Sequence, residues 1–365
     1  MTSSREIKIV QVSASLDMKL GGPVTVVKGT NEYFSKKARL VNLVFGPLKI
    51  DLQHAHSIKT IANNRYGFVG KLTPKIFRDY LATADIVLIH GYYLFSTLLG
   101  IFHSKNARIF IMPHGSLENY QSAKGILRKR VFDYVVGKML RHREMSFLVG
   151  SKSESDSIRN RFPSSKIFVV GLGVEEIRSQ PKILHNRDKA IELLCMSRIS
   201  EKKRIDLCIR AVSLLNSLGH KFSLKIYGSG DKKLEKKLRI LAQELGVTQF
   251  VTFCGFASEE IRQKAYFDAD LFLLPSENEN FAVAVAESIY AIRPVVVSKY
   301  VAMHEFVDKY QVGKTILDLD ANLLASAILD LIDNYDNYTF NCESHRELLS
   351  WKQVSKVWLN ILLED

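Results

Sequence analysis

Short apolar runs alternate with longer stretches of helical pattern along the whole chain. That alternation argues for parallel α/β architecture and against an all-α or all-β fold. In the first half, strands are predicted at Ile7–Val12, Leu40–Phe45, Ile86–His90, Ile109–Pro113, Ser146–Val149 and Ile167–Val170. Helical stretches at Val24–Lys37, Pro74–Thr83 and Gly125–Arg141 lie between most of them. In the second half, strands are predicted at Ala190–Met196, Ser223–Tyr227, Phe250–Cys254, Leu271–Leu274 and Pro294–Val297. Helices are predicted there at Ile205–Leu218, Lys232–Leu245, Ser258–Phe267, Phe281–Tyr290 and Ala321–Asn334. A chain of 365 residues, 47% of them hydrophobic, exceeds one typical core, so two doubly wound domains are expected. The polar segment Gly173–Arg187 reads as the linker. The final segment, Glu343–Asp365, reads as a helix with Trp351 and Trp358 on one face. It packs either on its own domain or back on the first.

The net charge of +13 is unevenly placed. Residues 1–180 hold 27 Lys and Arg against 13 Asp and Glu, whereas residues 181–365 hold 24 against 25. A basic half beside a neutral half suits an anionic partner: nucleic acid, an anionic membrane surface or a pyrophosphate-bearing substrate. A basic surface kept for solubility is the plainer alternative. The four cysteines follow no C-x-x-C spacing, which favours a reducing compartment over a disulfide framework or a zinc site. Neither a signal-peptide h-region nor a run of about 18 apolar residues is evident, so the cytoplasm is the expected compartment.

The segment Pro275–Pro294, PSENENFAVAVAESIYAIRP, carries the strongest chemical signal. It reads as a loop and a helix between two strands, at the carboxyl end of the first strand, where open parallel sheets bind ligands. Glu279 lies in the loop and Glu287 two turns into the helix. Spacing alone says that both acids can border one cleft. A loop acid or a solvated helix face would explain either, but an acid within AVAVAESIYAI is hard to place on a surface. The helix start at Phe281, Ala282 and Val283 offers backbone N–H groups to an anion.

A basic element, Met196–Asp206, follows the first strand of the second half and opens a helix. Its Arg198 and Lys203 suit phosphate oxygens. Cations at a helix N-terminus oppose the dipole unless an anion binds, which favours this reading over a solvated face. Glycines at Gly21 and Gly22, and at Gly228 and Gly230 in Tyr227-Gly-Ser-Gly-Asp231, follow strands and let a ligand approach the backbone. His90 and His114 end two strands, where ligands bind in such sheets, and His90 equally suits a structural role. Asp268-Ala-Asp270 mimics a metal-binding D-x-D but leads into an apolar strand. The stretch 124–143, KGILRKRVFDYVVGKMLRHR, mixes bases with apolar residues and fits a core helix with a basic outer face or an anionic membrane surface.

Taken in order, these elements resemble the retaining glycosyltransferases of family 4, which have the GT-B fold. The resemblance spans nearly the whole chain: the Gly21-Gly22 loop, the two histidine strand ends, Arg198 and Lys203 of a G-R-x-x-x-x-K-G element, the Gly228/Gly230 turn, Glu279 and Glu287 of E-x7-E, and a terminal S-W-x-x-V helix. The chain departs from the pattern at Ser197, Arg204 and Ala282, each where the family has glycine. The resemblance implies two Rossmann-like domains facing a central cleft. The acceptor domain would be 1–175 with a C-terminal helix 345–365 crossing back to it, and the nucleotide-sugar domain 176–344. It implies a metal-independent transfer, with retention, from a UDP- or GDP-sugar to a saccharide or polyprenyl-diphosphate-linked or other lipid-linked acceptor. Cell-envelope polysaccharide synthesis is the implied setting, at the inner face of the cytoplasmic membrane. Glu279, His114, Arg198 and Lys203 take the catalytic roles. Gly21, Gly22, Gly228, Gly230, Phe281, Ala282, Val283 and Glu287 join Arg198 and Lys203 in holding the donor. No cofactor and no nucleic-acid partner are expected. A non-catalytic scaffold of the same fold, or a basic nucleic-acid-binding protein, is the competing possibility.

Overall fold

The computed structural model describes residues 6–17, 22–46, 48–57, 75–117, 126–140, 143–177, 180–182 and 190–364. The chain divides into two compact units. The first comprises Met1–Gly173 with Trp351–Asp365, and the second Val174–Ser350.

The first unit holds a seven-stranded sheet: β1 (Lys8–Ser13), β2 (Arg39–Val44), β3 (Ala55–Ser57), β4 (Ile86–His90), β5 (Arg108–Met112), β6 (Met145–Val149) and β7 (Lys166–Val169). Its order is β3-β2-β1-β4-β5-β6-β7, and every pairing is parallel. The second unit holds β8 (Ile191–Met196), β9 (Phe222–Tyr227), β10 (Val251–Gly255), β11 (Leu271–Leu274), β12 (Val295–Ser298) and β13 (Gly313–Ile316). They form a six-stranded parallel sheet of order β10-β9-β8-β11-β12-β13. The inner strands β4, β11 and β12 are buried along their whole length, because helices cover both faces of a parallel sheet. The strand order reverses between β1 and β4 in one sheet and between β8 and β11 in the other. Open α/β sheets bind ligands outside the carboxyl ends of strands at such a switch point. His90 ends β4, paired with Ser13 of β1. Arg198 and Glu279 follow β8 and β11.

The predicted strands are all present. The periodicity missed the two outer strands β3 and β13 and the helices Phe95–His103, Lys152–Arg161, His304–Tyr310 and Tyr335–His345. Helix Lys152–Arg161 buries only Glu154, Ser155 and Ile158, so it shows no apolar stripe. The terminal helix is Trp351–Leu363, shorter than the stretch read from the sequence. Residues 343–345 end the preceding helix, and an extended Ser350 (ψ 145°) separates the two. Trp351 and Trp358 both face inward on the first unit, as the spacing of seven requires. Two glycines admit Trp351. A Cβ at Gly29 would lie 2.1 Å from the indole, and one at Gly173 would lie 2.5 Å from it. The Gly173–Arg187 segment is described only as far as Ile177 and at residues 180–182.

Candidate active site

In the second unit, the chain leaving β8 turns through Ser197–Ser200 into one 3₁₀ turn, Glu201–Lys203, and then into helix Ile205–Ser217. The turn after β9 holds this loop by backbone pairing. Ile199 N–H donates to Ser229 O (3.2 Å), and Asp231 N–H donates to Ile199 O (3.0 Å). Only glycine fits at either side of Ser229. A Cβ at Gly228 would sit 1.9 Å from Ser197 O, and one at Gly230 would sit 2.2 Å from Ile199 O. These glycines therefore seat the loop that carries Arg198. Arg198 is exposed, and its guanidinium makes no ion pair among the described residues.

Lys203 is nearly enclosed, and its ammonium is in direct contact with Glu279 Oε1. Lys202 stands 3.7 Å from the same oxygen. The two loops also join through the backbone, where Glu277 N–H donates to Lys202 O at 2.7 Å. Burial pulls the Lys203 ammonium down, and Glu279 opposes that shift. The first glutamate of the motif thus meets the lysine of the basic element directly, on the neighbouring strand ends of β8 and β11.

Glu287 is placed differently. It lies on helix Val283–Tyr290 and is only 5% exposed. Arg262, on helix Glu259–Asp268, contacts its Oε1, and Tyr266 OH donates to its Oε2 at 2.9 Å. Burial pushes this carboxyl up, while Arg262 and the Tyr266 hydrogen bond hold it down. Arg262, Tyr266 and Lys202 escaped the sequence reading. The four-residue step from Arg262 to Tyr266 put them on one helix face, but nothing marked Glu287 as their target. Phe281 is buried and Val283 opens the helix; Ala282 before it has no side-chain oxygen to cap the first N–H groups.

Two of the three departures from glycine, Arg204 and Ala282 but not Ser197, take a backbone that favours glycine. Arg204 has φ 48° and Ala282 has φ 66°, both left-handed. A side chain in that region costs about 1–2 kcal/mol. Arg204 recovers part of this through a two-pronged contact with Asp206 (3.1 and 3.0 Å). Ala282 has no such device.

Asp270 serves the sheet. Its Oδ2 accepts from Glu192 N–H at 2.8 Å, and its Oδ1 pairs with Lys182 at 3.0 Å. Among the described residues, no group of three His, Cys, Asp or Glu side chains gathers to hold a metal.

In the first unit, His90 and His114 meet. His90 Nδ1 lies 3.1 Å from His114 Nε2, and His90 Nε2 lies 2.9 Å from Gln11 Oε1. His114 takes a left-handed turn (φ 54°), and Gly115 N–H beside it donates to the buried Glu154 carboxylate at 2.5 Å. Gly22 opens the helix Gly22–Phe34, whereas Gly21 lies outside the described residues.

Residues 176–345 match the family model described as glycosyl transferases group 1. That match lies within the second unit. A curated relative, the amylovoran biosynthesis glycosyltransferase AmsK of Erwinia amylovora, is 27% identical over 68% of this chain. The aligned stretch spans 61% of that relative's length. Anabaena Alr3699/HepE, solved in complex with UDP and glucose, superposes with a TM-score of 0.77 over 98% of this chain and 100% of its own, at 14% identity. WaaG, a glycosyltransferase involved in lipopolysaccharide biosynthesis, does so at 0.71, with 98% and 100% covered and 13% identity. The two Rossmann-like units are those of the GT-B glycosyltransferases.

Two outcomes follow for stability. Ala282→Gly relieves the left-handed strain, less the entropy glycine adds to the unfolded chain, for a net gain of roughly 0.5–1 kcal/mol. Urea unfolding checks it, and a loss of stability contradicts it. Arg262→Met removes the cation that holds the Glu287 carboxyl down, so that carboxyl rises further. A folded-state carboxyl raised above its unfolded value binds more protons in the native state. Stability then falls as pH rises above the ordinary carboxylate range, until the raised value is passed. The variant's deficit against wild type should therefore be larger at pH 7.5 than at pH 5 in thermal unfolding.

Proposed function

We propose that this chain is a retaining glycosyltransferase of family 4 that moves a sugar from a UDP- or GDP-sugar to a hydroxyl of a saccharide or lipid-linked acceptor. The observation that carries it is the convergence after β8 and β11. There an exposed Arg198 that makes no ion pair among the described residues, the Lys203–Glu279 pair and an uncapped helix start at Ala282–Val283 share neighbouring strand ends. A leaving diphosphate needs such donors fixed in advance, because preorganised charge stabilises developing negative charge far better than mobile water does. Arg198 takes phosphate oxygens as a planar fork. Lys203 divides its charge between the diphosphate and Glu279. Glu279, held in place by that lysine, accepts from sugar hydroxyls and faces the positive charge growing at the anomeric carbon. Glu287 accepts from the nucleotide ribose.

In the reaction, the acceptor oxygen bonds to the anomeric carbon on the face from which the diphosphate leaves. The carbon–oxygen bond to phosphate breaks, and the acceptor's proton goes to the departing phosphate oxygen. The side chains that neutralise the diphosphate supply the charge in this scheme, so no metal is assigned a step. The acceptor is assigned to the first unit, where His114 faces a hydroxyl. UDP suits the donor because it is what Alr3699/HepE binds. Envelope polysaccharide suits the product because that is the field named for AmsK and WaaG.

UDP-, GDP- and ADP-sugars screened by thermal shift identify the donor, since a ligand at 100 times its Kd adds roughly 2.7 kcal/mol. Arg198→Ala should then lower turnover on the order of 10²-fold or more. Wild-type turnover in that variant defeats the assignment. Failure of every nucleotide sugar to bind favours the scaffold reading.

A second observation favours an anionic membrane as the place of work. Helix Ile126–Leu140 exposes Leu127 (76%), Val131 (59%) and Tyr134 (66%). Residues at i, i+4 and i+7 share one helix face. Exposed Arg128, Arg130 and Lys138 border or join that face. An apolar stripe flanked by bases inserts at an anionic lipid interface. Among the described residues, no helix is long and apolar enough to cross a membrane. The full chain should co-sediment with vesicles containing phosphatidylglycerol and not with pure phosphatidylcholine, and a Leu127→Ser/Val131→Ser double variant should lose most of that binding. Equal binding to both vesicle types, or none, removes this reading.

A further inference from the structure

The histidine pair in the first unit ends a buried chain of side-chain amides whose direction is fixed by one backbone carbonyl. Asn42, on β2, points an amide atom at Gln53 O (3.3 Å). A carbonyl oxygen only accepts, so that atom is the NH₂ group, which also donates to Asn31 Oδ1 at 2.6 Å. Asn42 Oδ1 therefore faces Gln11, whose Nε2 donates to it at 3.2 Å. Gln11 Oε1 is left facing His90 Nε2 at 2.9 Å, so that ring nitrogen carries a proton. A neutral imidazole has one N–H and one bare nitrogen. His90 Nδ1 is then bare and accepts from His114 Nε2–H at 3.1 Å, which leaves Nδ1 of His114 as its lone-pair nitrogen. Gln11, Asn42 and His90 are all buried, and His114 is partly exposed.

We propose that His90 is a positioning residue that fixes His114 as the Nε2–H tautomer, so that His114 offers an acceptor nitrogen, and no positive charge, to a hydroxyl of the substrate. The relay itself is read from hydrogen bonds alone; the hydroxyl as its target rests on the sugar transfer proposed above. Burial keeps both rings neutral: it pulls His114 down to about 4, and burial together with His114 pulls His90 well below the ordinary value. The buried Glu154 directs its two oxygens to the N–H groups of Gly115 and Gly150. It holds the left-handed turn of His114 from the side opposite in role to His90. A cation at His114 would suit phosphate. A bare nitrogen suits a hydroxyl, and that difference separates hydroxyl recognition at His114 from diphosphate recognition at Arg198.

Long-range ¹H–¹⁵N spectra of the ¹⁵N-labelled full chain distinguish a bare ring nitrogen from an N–H. The His114 signals, assigned by loss in His114→Asn, should show bare Nδ1 and protonated Nε2 from pH 6 to 8. His90→Leu removes the acceptor, so His114 should become a mixture of tautomers. His90→Asn places an oxygen where Nδ1 was and should restore the single tautomer. Should His90→Leu fail to fold, Gln11→Leu frees His90 from its other side and should produce the same mixture. A charged or Nδ1–H His114 at pH 7 in wild type overturns the proposal, as does an unchanged tautomer in both leucine variants. With a donor in hand, His90→Leu should lower kcat/KM on the order of tenfold, the equivalent of one hydrogen bond, with His90→Asn recovering it. Loss of activity unrelated to tautomer overturns the role of His114 toward hydroxyls. A wild type that transfers no sugar overturns the proposed function and leaves the tautomer result standing.

Discussion

The contact between Lys203 and Glu279 joins two loops that nothing in the sheet itself requires to meet. Strands β8 and β11 pair through Leu193 and Leu194, but their loops run on for several residues past the last shared hydrogen bonds. The ion pair and the Glu277–Lys202 backbone bond bring those loops together. Because the pair is largely buried, removing either partner would leave an uncompensated charge, which is far more costly than the pair is stabilising. The arrangement of Arg198, Lys202 and Glu279 therefore depends on both charges being kept. The same contact makes the roles of lysine and glutamate inseparable: each fixes the position of the other.

Strain is distributed around this centre. Arg204, Ala282 and Ile292 all have positive φ, a region that L side chains avoid. Each lies where a loop meets a helix end, and their surroundings differ. Asp206 grips Arg204. Glu279 and Val301 pair in a short bridge just before Ala282. After Ile292 comes Arg293, fully buried, whose guanidinium donates to the carbonyls of Tyr266, Phe267, Gln180 and Ile292. Arg293 thereby ties the end of the helix that carries Arg262 and Tyr266 to the turn that ends the helix carrying Glu287. Burial lowers its hold on the proton, while nearby Tyr335 and Asp270 oppose that shift. The buried grip on Glu287 thus rests on a second buried cation, held entirely by backbone oxygens.

Much of the fold was legible because its signals are local. Runs such as Ile86–His90 and Leu271–Leu274 are buried on both faces, and no polar residue interrupts them. What was missed lacked that signal. Strands β3 and β13 are short and lie at sheet edges, and helix Lys152–Arg161 touches the core through one isoleucine. For the site, residue type and order placed Arg198, Lys203, Glu279 and Glu287 at the strand ends of one unit, yet gave no pairing. Which cation meets which acid depends on loops folding across non-consecutive strands, and Arg262 and Gln11 enter only through that geometry. The departures at Arg204 and Ala282 were visible as missing glycines, but their meaning was not. The backbone takes the left-handed turn and accepts the strain, which residue type alone does not announce.

Charge counted by halves proved a poor guide to charge at the sites. The basic first half places exposed cations on the outer helix Ile126–Leu140, while its strand ends carry two neutral imidazoles and a run of amides. The nearly neutral second half gathers Arg198, Lys202, Lys203 and Arg204 within seven residues and balances three of them with Glu277, Glu279 and Asp206. Net charge governs long-range attraction and surface contact. Chemistry depends on which charges are left unbalanced after local pairing. By that measure Arg198, which makes no ion pair among the described residues, is a positive charge open to an anion, in the half with no excess at all. The excess elsewhere describes a surface, and the two proposed partners differ accordingly: a diphosphate for the strand ends of one unit and an anionic interface for a helix of the other.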